Sequence, residues 1–398
     1  MTLSKRPTVE FIVLVALLSA MVAMSIDTML PAIGQIATEL GADDPNDRQL
    51  IITTFFGGMT IGTLIYGPIS DSTGRKPAIF AGLLLYAAGS LLCLFATSFT
   101  IMLVGRAMQG FGAAGPRIVS IAMVRDGSSG AAMAKVMSFV MAVFMLVPIL
   151  APSIGQIVLL VAHWRAIFAG FLVMGIIAAL WLATRQAETL SVERRRKLAS
   201  RELMQAAKEF LRHPVAAGYT LAVGCIFGAL ICYLGTSQQI FAEQYGQGAL
   251  FAVWFGVFAI AIAIAMIFNG KLVMRHGMRN LSKWALRASI LLSAAFLAAA
   301  LLLHGHPPLW LLAAYLFCNF FCSGLLFGNY NALAMEPMGH IAGMAAAISG
   351  SLSSLVALAA GTWIGLQYNG TVIPLAAGFT GLGILAYVLT EWAERRRA

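Results

Sequence analysis

The stretch GPISDSTGRKP at residues 67–77 has a counterpart in GKLVMRHGMRN at residues 270–280. Each stretch contains two glycines seven residues apart, and the second of them is Gly74 in one case and Gly277 in the other. These two glycines lie 203 residues apart, and the first and seventh long apolar runs begin at about the same offset. The repetition predicts a chain built from two similar halves that run in the same direction.

The composition around these turns is that of an integral membrane protein. Of the 398 residues, 60% are hydrophobic and 11% are charged, whereas about a quarter of the residues are charged in soluble domains. A helix needs roughly 20 apolar residues to cross a bilayer. The sequence therefore predicts an all-α membrane protein with twelve transmembrane spans, numbered here in order: 9–31, 50–69, 77–97, 99–123, 132–160, 164–184, 214–240, 249–274, 281–303, 308–333, 341–367 and 371–391.

The distribution of basic residues predicts which side of the membrane each loop occupies. The N-terminus (Lys5 and Arg6), the even-to-odd loops, the centre and the tail hold 22 of the 26 Lys and Arg residues. The opposite loops hold only Arg48 and Arg165. Basic loops face the cytoplasm, so we expect both termini there. The net charge of +10 then reflects loop bias, and no nucleic-acid partner is expected.

One long polar stretch divides the chain. Residues 185–213 alternate in charge and contain few apolar side chains, which predicts a cytoplasmic surface helix or tether. The predicted organisation is an N-terminal six-helix bundle (1–184), this linker (185–213) and a C-terminal six-helix bundle (214–398).

Several motifs, in the right order along nearly the whole chain, resemble the major facilitator superfamily. The sequence at 67–77 is similar to the superfamily signature between its second and third helices, and RAMQGFGAAG at 106–115 to the fourth-helix signature of proton-coupled drug antiporters. Other segments resemble the bicyclomycin/chloramphenicol-resistance branch: DTMLPAI (27–33), VRD (124–126), PILAPSIGQ (148–156), WRAIF (164–168) and NALAMEPMGHIAGMAAAISG (331–350).

The resemblance implies a fold of two pseudo-symmetric six-helix bundles, a function in multidrug efflux and a location in the bacterial inner membrane. The expected partners are a small-molecule substrate and the lipid bilayer, with protons as the coupling ion, no other cofactor and a monomer as the working unit. Departures from the family pattern occur at Ser72, Ala151, Gln156 and Met274. Met274 replaces the acid of the second turn, so only the first turn is expected to act as a charged switch.

Asp27 is the most informative single residue. It ends an apolar run that begins at Phe11, and intramembrane acids usually mark transport pathways. Arg106 lies seven residues into span 4, roughly 10 Å deep, at a depth similar to that of Asp27. We expect the two to meet directly or through water as a proton-coupling pair. The alternative is a purely structural ion pair between spans 1 and 4.

Further polar residues in the spans are candidates for substrate contact. Arg117 lies on the same helix face as Arg106 and could line the cavity or extend to the cytoplasmic boundary. Gln109 could bind substrate or hold Arg106. The full set of candidates is Asp27, Arg106, Gln109 and Arg117 in the first half and Tyr233, Ser237, Gln238, Asn319, Asn329 and Asn331 in the second.

Two groups of residues are candidates for gating. The first is the charged turn and its surroundings: Asp71, Gly74, Arg75, Lys76, Arg125 and Asp126. Asp71 could meet a helix N-terminus of the other half, although such charges also fit ordinary cytoplasmic topology. The second group is in span 5, where prolines bend the helix and a small residue permits close contact, which we expect with span 8: Pro148, Pro152 and Gly155.

Two other functions use different features of the sequence. A proton symporter or uniporter for an anionic or zwitterionic metabolite would suit two arginines set against one acid. An intramembrane enzyme would need a nucleophile–base pair or a metal site at membrane depth. The spans contain no such pattern and the chain has no phosphate-binding loop of the G-x-x-x-x-G-K-[ST] type, so neither an enzyme nor a metal site is expected.

Overall fold

The computed structural model describes residues 9–195 and 200–397. Lys5, Arg6 and linker residues 196–199 lie outside this range. The described residues form helices α1 (Val9–Asp27), α2 (Ile33–Glu39), α3 (Leu50–Thr73), α4 (Arg75–Leu94), α5 (Phe99–Gly127), α6 (Gly130–Val161), α7 (Arg165–Arg185), α8 (Ser200–Arg212), α9 (Pro214–Gln238), α10 (Phe251–His276), α11 (Met278–Leu302), α12 (Leu309–Met335), α13 (Ala342–Leu366) and α14 (Ile373–Arg395).

Twelve of these helices are long enough to cross a bilayer, which confirms the predicted fold. Each begins and ends within four residues of its predicted span. By length and apolar composition alone, ten stretches of the described residues qualify as spans. The difference arises because α12 and α13 are joined by a helical turn into one stretch, and because α5, rich in glycine and arginine, is not among the ten.

The first helix ends earlier than predicted. The predicted span 9–31 stops being α-helical at Asp27, and a short 3-10 turn over Leu30–Ala32 leads into α2. Pro31 lies in that turn, where its missing N–H costs no helical hydrogen bond. Asp27 is therefore a helix-terminal residue.

The chain forms two compact units. One comprises Met1–Pro45 and Thr54–Ala199, and the other Asn46–Thr53 and Ser200–Ala398. The short segment 46–53, at the start of α3, thus groups with the second half of the sequence. Each unit contains six of the twelve long helices, with α3 assigned by its larger part.

Glycines set the packing of the first unit. A Cβ at Gly89 would lie 2.5 Å from the backbone nitrogen of Gln109, and one at Gly112 would lie 2.3 Å from that of Tyr86. Only a residue without a side chain permits such an approach. Helix α4 therefore packs directly against α5, the helix that carries both predicted transport arginines.

In the second unit, α9 is central and packs against α13 and α14. The linker helix α8 packs on the same unit through Ala206 and Phe210, which contact Met338, Ala345 and Ile348. The repeat seen in the sequence recurs in the backbone, because Gly74 (φ +111°) and Gly277 (φ +76°) precede α4 and α11 in a conformation that favours glycine.

Candidate functional site

Asp27 lies at a closely packed junction in the first unit. Its side chain is buried, with 6% of the residue exposed. No hydrogen bond or ion pair to its carboxylate occurs within the described part of the chain. Next to it, a Cβ at Gly155 would lie only 1.7 Å from the carbonyl oxygen of Thr28. Within this unit, the close contact made by Gly155 is thus with the end of α1, whereas the sequence suggested a contact with span 8.

In this structure Arg106 and Asp27 do not form a direct ion pair, and the expected contact through water stays a prediction. Arg106 is fully buried, and its Nη1 donates to the carbonyl oxygen of Ser25 at 3.1 Å and to Oε1 of Gln109. Its guanidinium lies 4.4 Å from the centre of the Phe55 ring. Gln109 lies one helical turn further along the same face of α5, so its side-chain oxygen is close enough to accept a hydrogen bond from the guanidinium. Arg106 nevertheless contacts α1 only two residues before Asp27.

A buried hydrogen-bond chain extends from this arginine into α4. Gln109 Nε2 donates to Ser90 Oγ at 2.9 Å, and Ser90 Oγ donates to the Tyr86 carbonyl at 2.8 Å. The hydroxyl groups of Tyr86 and Ser25 are 2.7 Å apart. The sequence did not identify Ser25, Tyr86 or Ser90, because single polar residues in apolar spans are too common to stand out. These hydrogen bonds, from Gln109 in α5 and through it from Ser90 in α4, hold Arg106 in position.

Arg117 occupies a different environment in the same unit. It is half-buried, its Nη1 lies 3.7 Å from the sulfur of Met59, and its guanidinium lies 5.6 Å from the centre of the Phe144 ring. Among the described residues it has no carboxylate partner. Arg117 is therefore a cation held by polarizable apolar groups between α3 and α6.

The turn between α3 and α4 forms a compact charged cluster around Arg75. Arg75 Nε donates to Oδ2 of Asp126 at 2.7 Å, and its Nη1 donates to Asp71 and to Ser70. Asp71 is thus paired within its own unit. Arg125, which we grouped with these residues, is exposed and has no polar partner in the described residues. The structure brings together three of the predicted gating residues and leaves Arg125 outside.

A linker acid that the sequence did not identify completes this cluster. Glu188 accepts hydrogen bonds from the backbone N–H groups of Arg75 and Lys76, both at 2.9 Å, and from that of Leu190 at 2.9 Å. Burial raises the pKa of this carboxyl group, but the backbone donors outweigh that effect and hold its pKa below the usual value. The only signal in the sequence is indirect: Gly74 offers no side chain to cap α4, so the acceptor must come from elsewhere.

The asparagines proposed as substrate ligands are engaged inside the second unit. Asn319 Nδ2 donates to Ser293 Oγ at 2.8 Å, which joins α12 to α11. Asn329 Nδ2 donates to Oδ1 of Asn269 at 2.9 Å, which joins α12 to α10. Asn331 is exposed and donates to a carbonyl of its own helix. These contacts favour a packing role for Asn319 and Asn329.

The other second-half candidates differ in environment. Tyr233 is buried, and its ring lies 4.8 Å from that of Phe320 and 5.9 Å from that of Phe255, in an aromatic cluster. Ser237 is also buried and donates within its helix. Gln238 accepts a hydrogen bond of 2.8 Å from Arg48. Arg48 also pairs with Glu243. Gln238 therefore belongs to a polar contact with segment 46–53.

The second unit also has a charged cluster, at the start of α11. We did not expect it, because Met274 stands where the second turn would have an acid. Arg279 pairs with Glu336 and, at 3.0 Å, with Glu394. Tyr219 donates to the same Glu394 carboxylate at 2.7 Å. A cavity of about 200 Å³ adjoins Tyr219, Arg279 and Glu394. Charged side chains thus gather after the glycine turn in both units, with the acids of the second unit supplied by α14 and by the turn after α12.

Comparison with known proteins identifies the family. The Major Facilitator Superfamily matches residues 14–362. The chain belongs to this superfamily. Its relatives there include the uncharacterized MFS-type transporter YdgK of Bacillus subtilis strain 168, which is 29% identical over 92% of this chain and 90% of that protein.

Two further superfamily relatives have names that refer to resistance. The bicyclomycin resistance protein homolog of Haemophilus influenzae is 29% identical over 93% of this chain and 92% of that protein. The multidrug resistance protein MdtL of Salmonella typhimurium is 34% identical over 46% of this chain and 45% of that protein. These relatives confirm the resemblance to the drug-transporter branch.

Solved structures of the superfamily have the same fold. The human organic anion transporter MFSD10 matches with a TM-score of 0.67 and 18% identity over 96% of this chain and 99% of that one. A peptide transporter POT in complex with sulfate matches with a TM-score of 0.75 and 14% identity over 97% and 94%. Membership of the superfamily and the named relatives make this protein a multi-pass membrane transporter and not an enzyme.

Proposed function

We propose that this transporter exports small amphipathic, drug-like molecules in exchange for protons, by alternating access. The names of two relatives, a bicyclomycin resistance protein homolog and a multidrug resistance protein, support the substrate class. The proposed location is the bacterial inner membrane with both termini in the cytoplasm, in keeping with the distribution of Lys and Arg. The proposed working unit is a monomer, and protons are the only coupling ion.

The environment of Asp27 carries the proposal for proton coupling. An ionised carboxylate in a membrane costs on the order of 2.5–3.5 kcal/mol on the insertion scale. Asp27 is 6% exposed and has no ion-pair partner among the residues described. An acid in this position is retained at a cost in stability, and a group that gains and loses a proton in each cycle explains why.

Arg106 provides a means of controlling that proton. Its guanidinium donates to the Ser25 carbonyl, two residues from Asp27. A cation that approaches a carboxylate favours the ionised form, and one that withdraws favours the protonated form. A small displacement of α1 against α5 would change this separation. We propose that substrate and proton compete through such a displacement.

The two groups of candidate gating residues have separate roles in the proposed cycle. Arg75 forms ion pairs with Asp71 and Asp126. A rearrangement of the turn before α4 would either break these ion pairs or move all three residues together. Pro148 and Pro152 lie inside α6, where each removes a backbone hydrogen bond and permits bending. Bending of α6 would move Gly155 relative to Asp27.

One observation favours a second candidate function, the transport of an anionic or zwitterionic metabolite by symport or uniport. Arg117 is half-buried and has no carboxylate partner among the described residues. A cation of this kind would attract an anionic group of a solute. The charge of the transported molecules therefore distinguishes the two candidates.

Transport by the purified protein in proteoliposomes tests the proposal. A pH gradient is imposed, and movement of a fluorescent amphipathic cation is followed together with internal pH. We expect uphill drug movement that carries protons the opposite way and stops when an ionophore collapses the gradient. Antiport would be contradicted if drug movement did not depend on the pH gradient, or if protons moved in the same direction as the drug. A susceptibility screen in an efflux-deficient bacterium identifies which drugs to use.

A further inference from the structure

Glu188 caps the N-terminus of α4 from a distance in the sequence. The first N–H groups of a helix have no partner inside it. In α4 the first three residues are Arg75, Lys76 and Pro77, and proline has no N–H. The two N–H groups that remain both donate to the Glu188 carboxylate, one to each oxygen, at 2.9 Å. One linker side chain therefore satisfies all the donors of this first stretch.

We propose that Glu188 is a positioning residue for transport, which fixes the cytoplasmic turn between α3 and α4 by holding the start of the linker against it. The inference rests on the proposed alternating-access function. It adds the linker, which the sequence presented as a simple tether, to the set of residues that control the turn.

The backbone of the turn is built to receive this carboxylate. Gly74 has φ +111°, and a Cβ there would lie 2.8 Å from Oε2 of Glu188. Lys76 adds a second attachment, because its Nζ donates to the carbonyl oxygen of Gln186 at 2.5 Å. Leu190 is buried on the other side of Glu188. The linker is thus held at three neighbouring positions and not by one surface contact.

Arg75 connects this attachment to the charged cluster. Its backbone N–H donates to Glu188, while its guanidinium binds Asp71 and Asp126. Thr189 also contacts Asp126, with its hydroxyl 3.4 Å from the carboxylate. A movement of the turn must therefore break the Glu188 contacts or carry the linker with it. Either way, Glu188 influences the rate of the conformational change, while substrate is bound elsewhere.

The test compares Glu188→Ala and Glu188→Gln with Glu193→Gln, an acid of the same linker that is exposed. Hydrogen exchange by mass spectrometry on the full-length protein in nanodiscs reports the protection of the first turn of α4. Drug transport is measured in parallel as kcat and KM. Glu188→Gln keeps one oxygen that can accept, so it serves as the conservative variant.

We expect exchange in the first turn of α4 to become about tenfold faster in Glu188→Ala, and less so in Glu188→Gln, because a lost helix cap has an effect of this order. We also expect an altered kcat with KM unchanged, and no effect of Glu193→Gln. Equal exchange in Glu188→Ala and Glu193→Gln would overturn the proposal, as would a change in KM alone. The exchange result does not depend on drug transport, so failure of the proposed function would be seen separately in the wild-type protein.

Discussion

Replacing Gly155 by alanine tests the packing that surrounds Asp27. The new Cβ would lie 1.7 Å from the Thr28 carbonyl oxygen, whereas such atoms stay at least 3.0 Å apart. The end of α1 and helix α6 must therefore separate by about 1 Å or more. Separation loosens an adjoining core that contains Ala23 and Ala151. Overpacking of this kind costs about 1–3 kcal/mol.

Gly170→Ala is the matched control for this substitution. Gly170 is also inside a helix of the first unit, α7, but a Cβ there meets nothing within 4 Å. Both substitutions gain the same helix propensity, up to about 1 kcal/mol, so the difference between the variants isolates the clash.

Thermal unfolding in detergent, followed by tryptophan fluorescence, measures the difference. One kcal/mol corresponds to about 2–4 °C in domains of 150–250 residues, so we expect Gly155→Ala to unfold several degrees below Gly170→Ala. Transport by Gly155→Ala should also fall, because Asp27 is displaced from the environment of Arg106. Equal Tm values for the two variants would refute the close contact between α6 and Thr28.

Three other substitutions, one of them paired with a control variant, test parts of the site separately. Arg75→Gln leaves two carboxylates without their cation, and we expect a Tm loss corresponding to about 1–3 kcal/mol and a reduced kcat. An unchanged Tm would mean that the cluster contributes no stability. Tyr86→Phe removes the hydroxyl contact with Ser25 and should cost about 1 kcal/mol in unfolding experiments. Tyr66→Phe is its control and should cost nothing, because the Tyr66 hydroxyl is buried and has no hydrogen-bond partner among the described residues. Arg117→Gln should weaken transport of anionic solutes on the order of tenfold relative to cationic ones, about 1.4 kcal/mol, and equal effects on both classes would exclude a role in charge selection.

The fold could be predicted from the sequence because the bilayer imposes a simple length rule. Twelve apolar runs of about 20 residues correspond to twelve long helices, and the glycine turns at Gly74 and Gly277 repeat both in sequence and in backbone conformation. The prediction of where α1 ends was less accurate. Apolar composition continues past Asp27, but the chain leaves the α-helix there, and hydrophobicity carries no information on that change.

The sequence predicted which residues are candidates for the site but not their hydrogen-bond partners, because those depend on which side chains lie nearest in the fold. Asp27 and Arg106 could be selected as candidates by their charge, but the hydrogen bond from Arg106 to Gln109 depends on packing distances that a sequence does not contain. Asn319 shows the same limit. A buried amide indicates a polar partner, yet it does not tell whether that partner is a substrate or, as here, Ser293 in the next helix.

Glu188 illustrates the opposite case, an important residue in an ordinary context. One acid among many charges in a polar linker gives no signal by itself. Its role becomes visible only when the unpartnered N–H groups at the start of α4 are counted and their acceptor is sought. Helix termini without a local cap are therefore worth examining in related chains.

The measurement that most directly tests the proposed coupling uses Asp27→Asn in proteoliposomes, with Asp43→Asn, an exposed acid outside the site, as control. Asparagine keeps the shape of aspartate but has no charge to gain or lose. We predict that Asp27→Asn binds drug without dependence on pH, because antiport requires proton and drug to disfavour each other, and that uphill transport driven by a pH gradient stops. Asp43→Asn should behave as the wild type. Uphill, gradient-driven export by Asp27→Asn would contradict the assignment of Asp27 as the coupling acid.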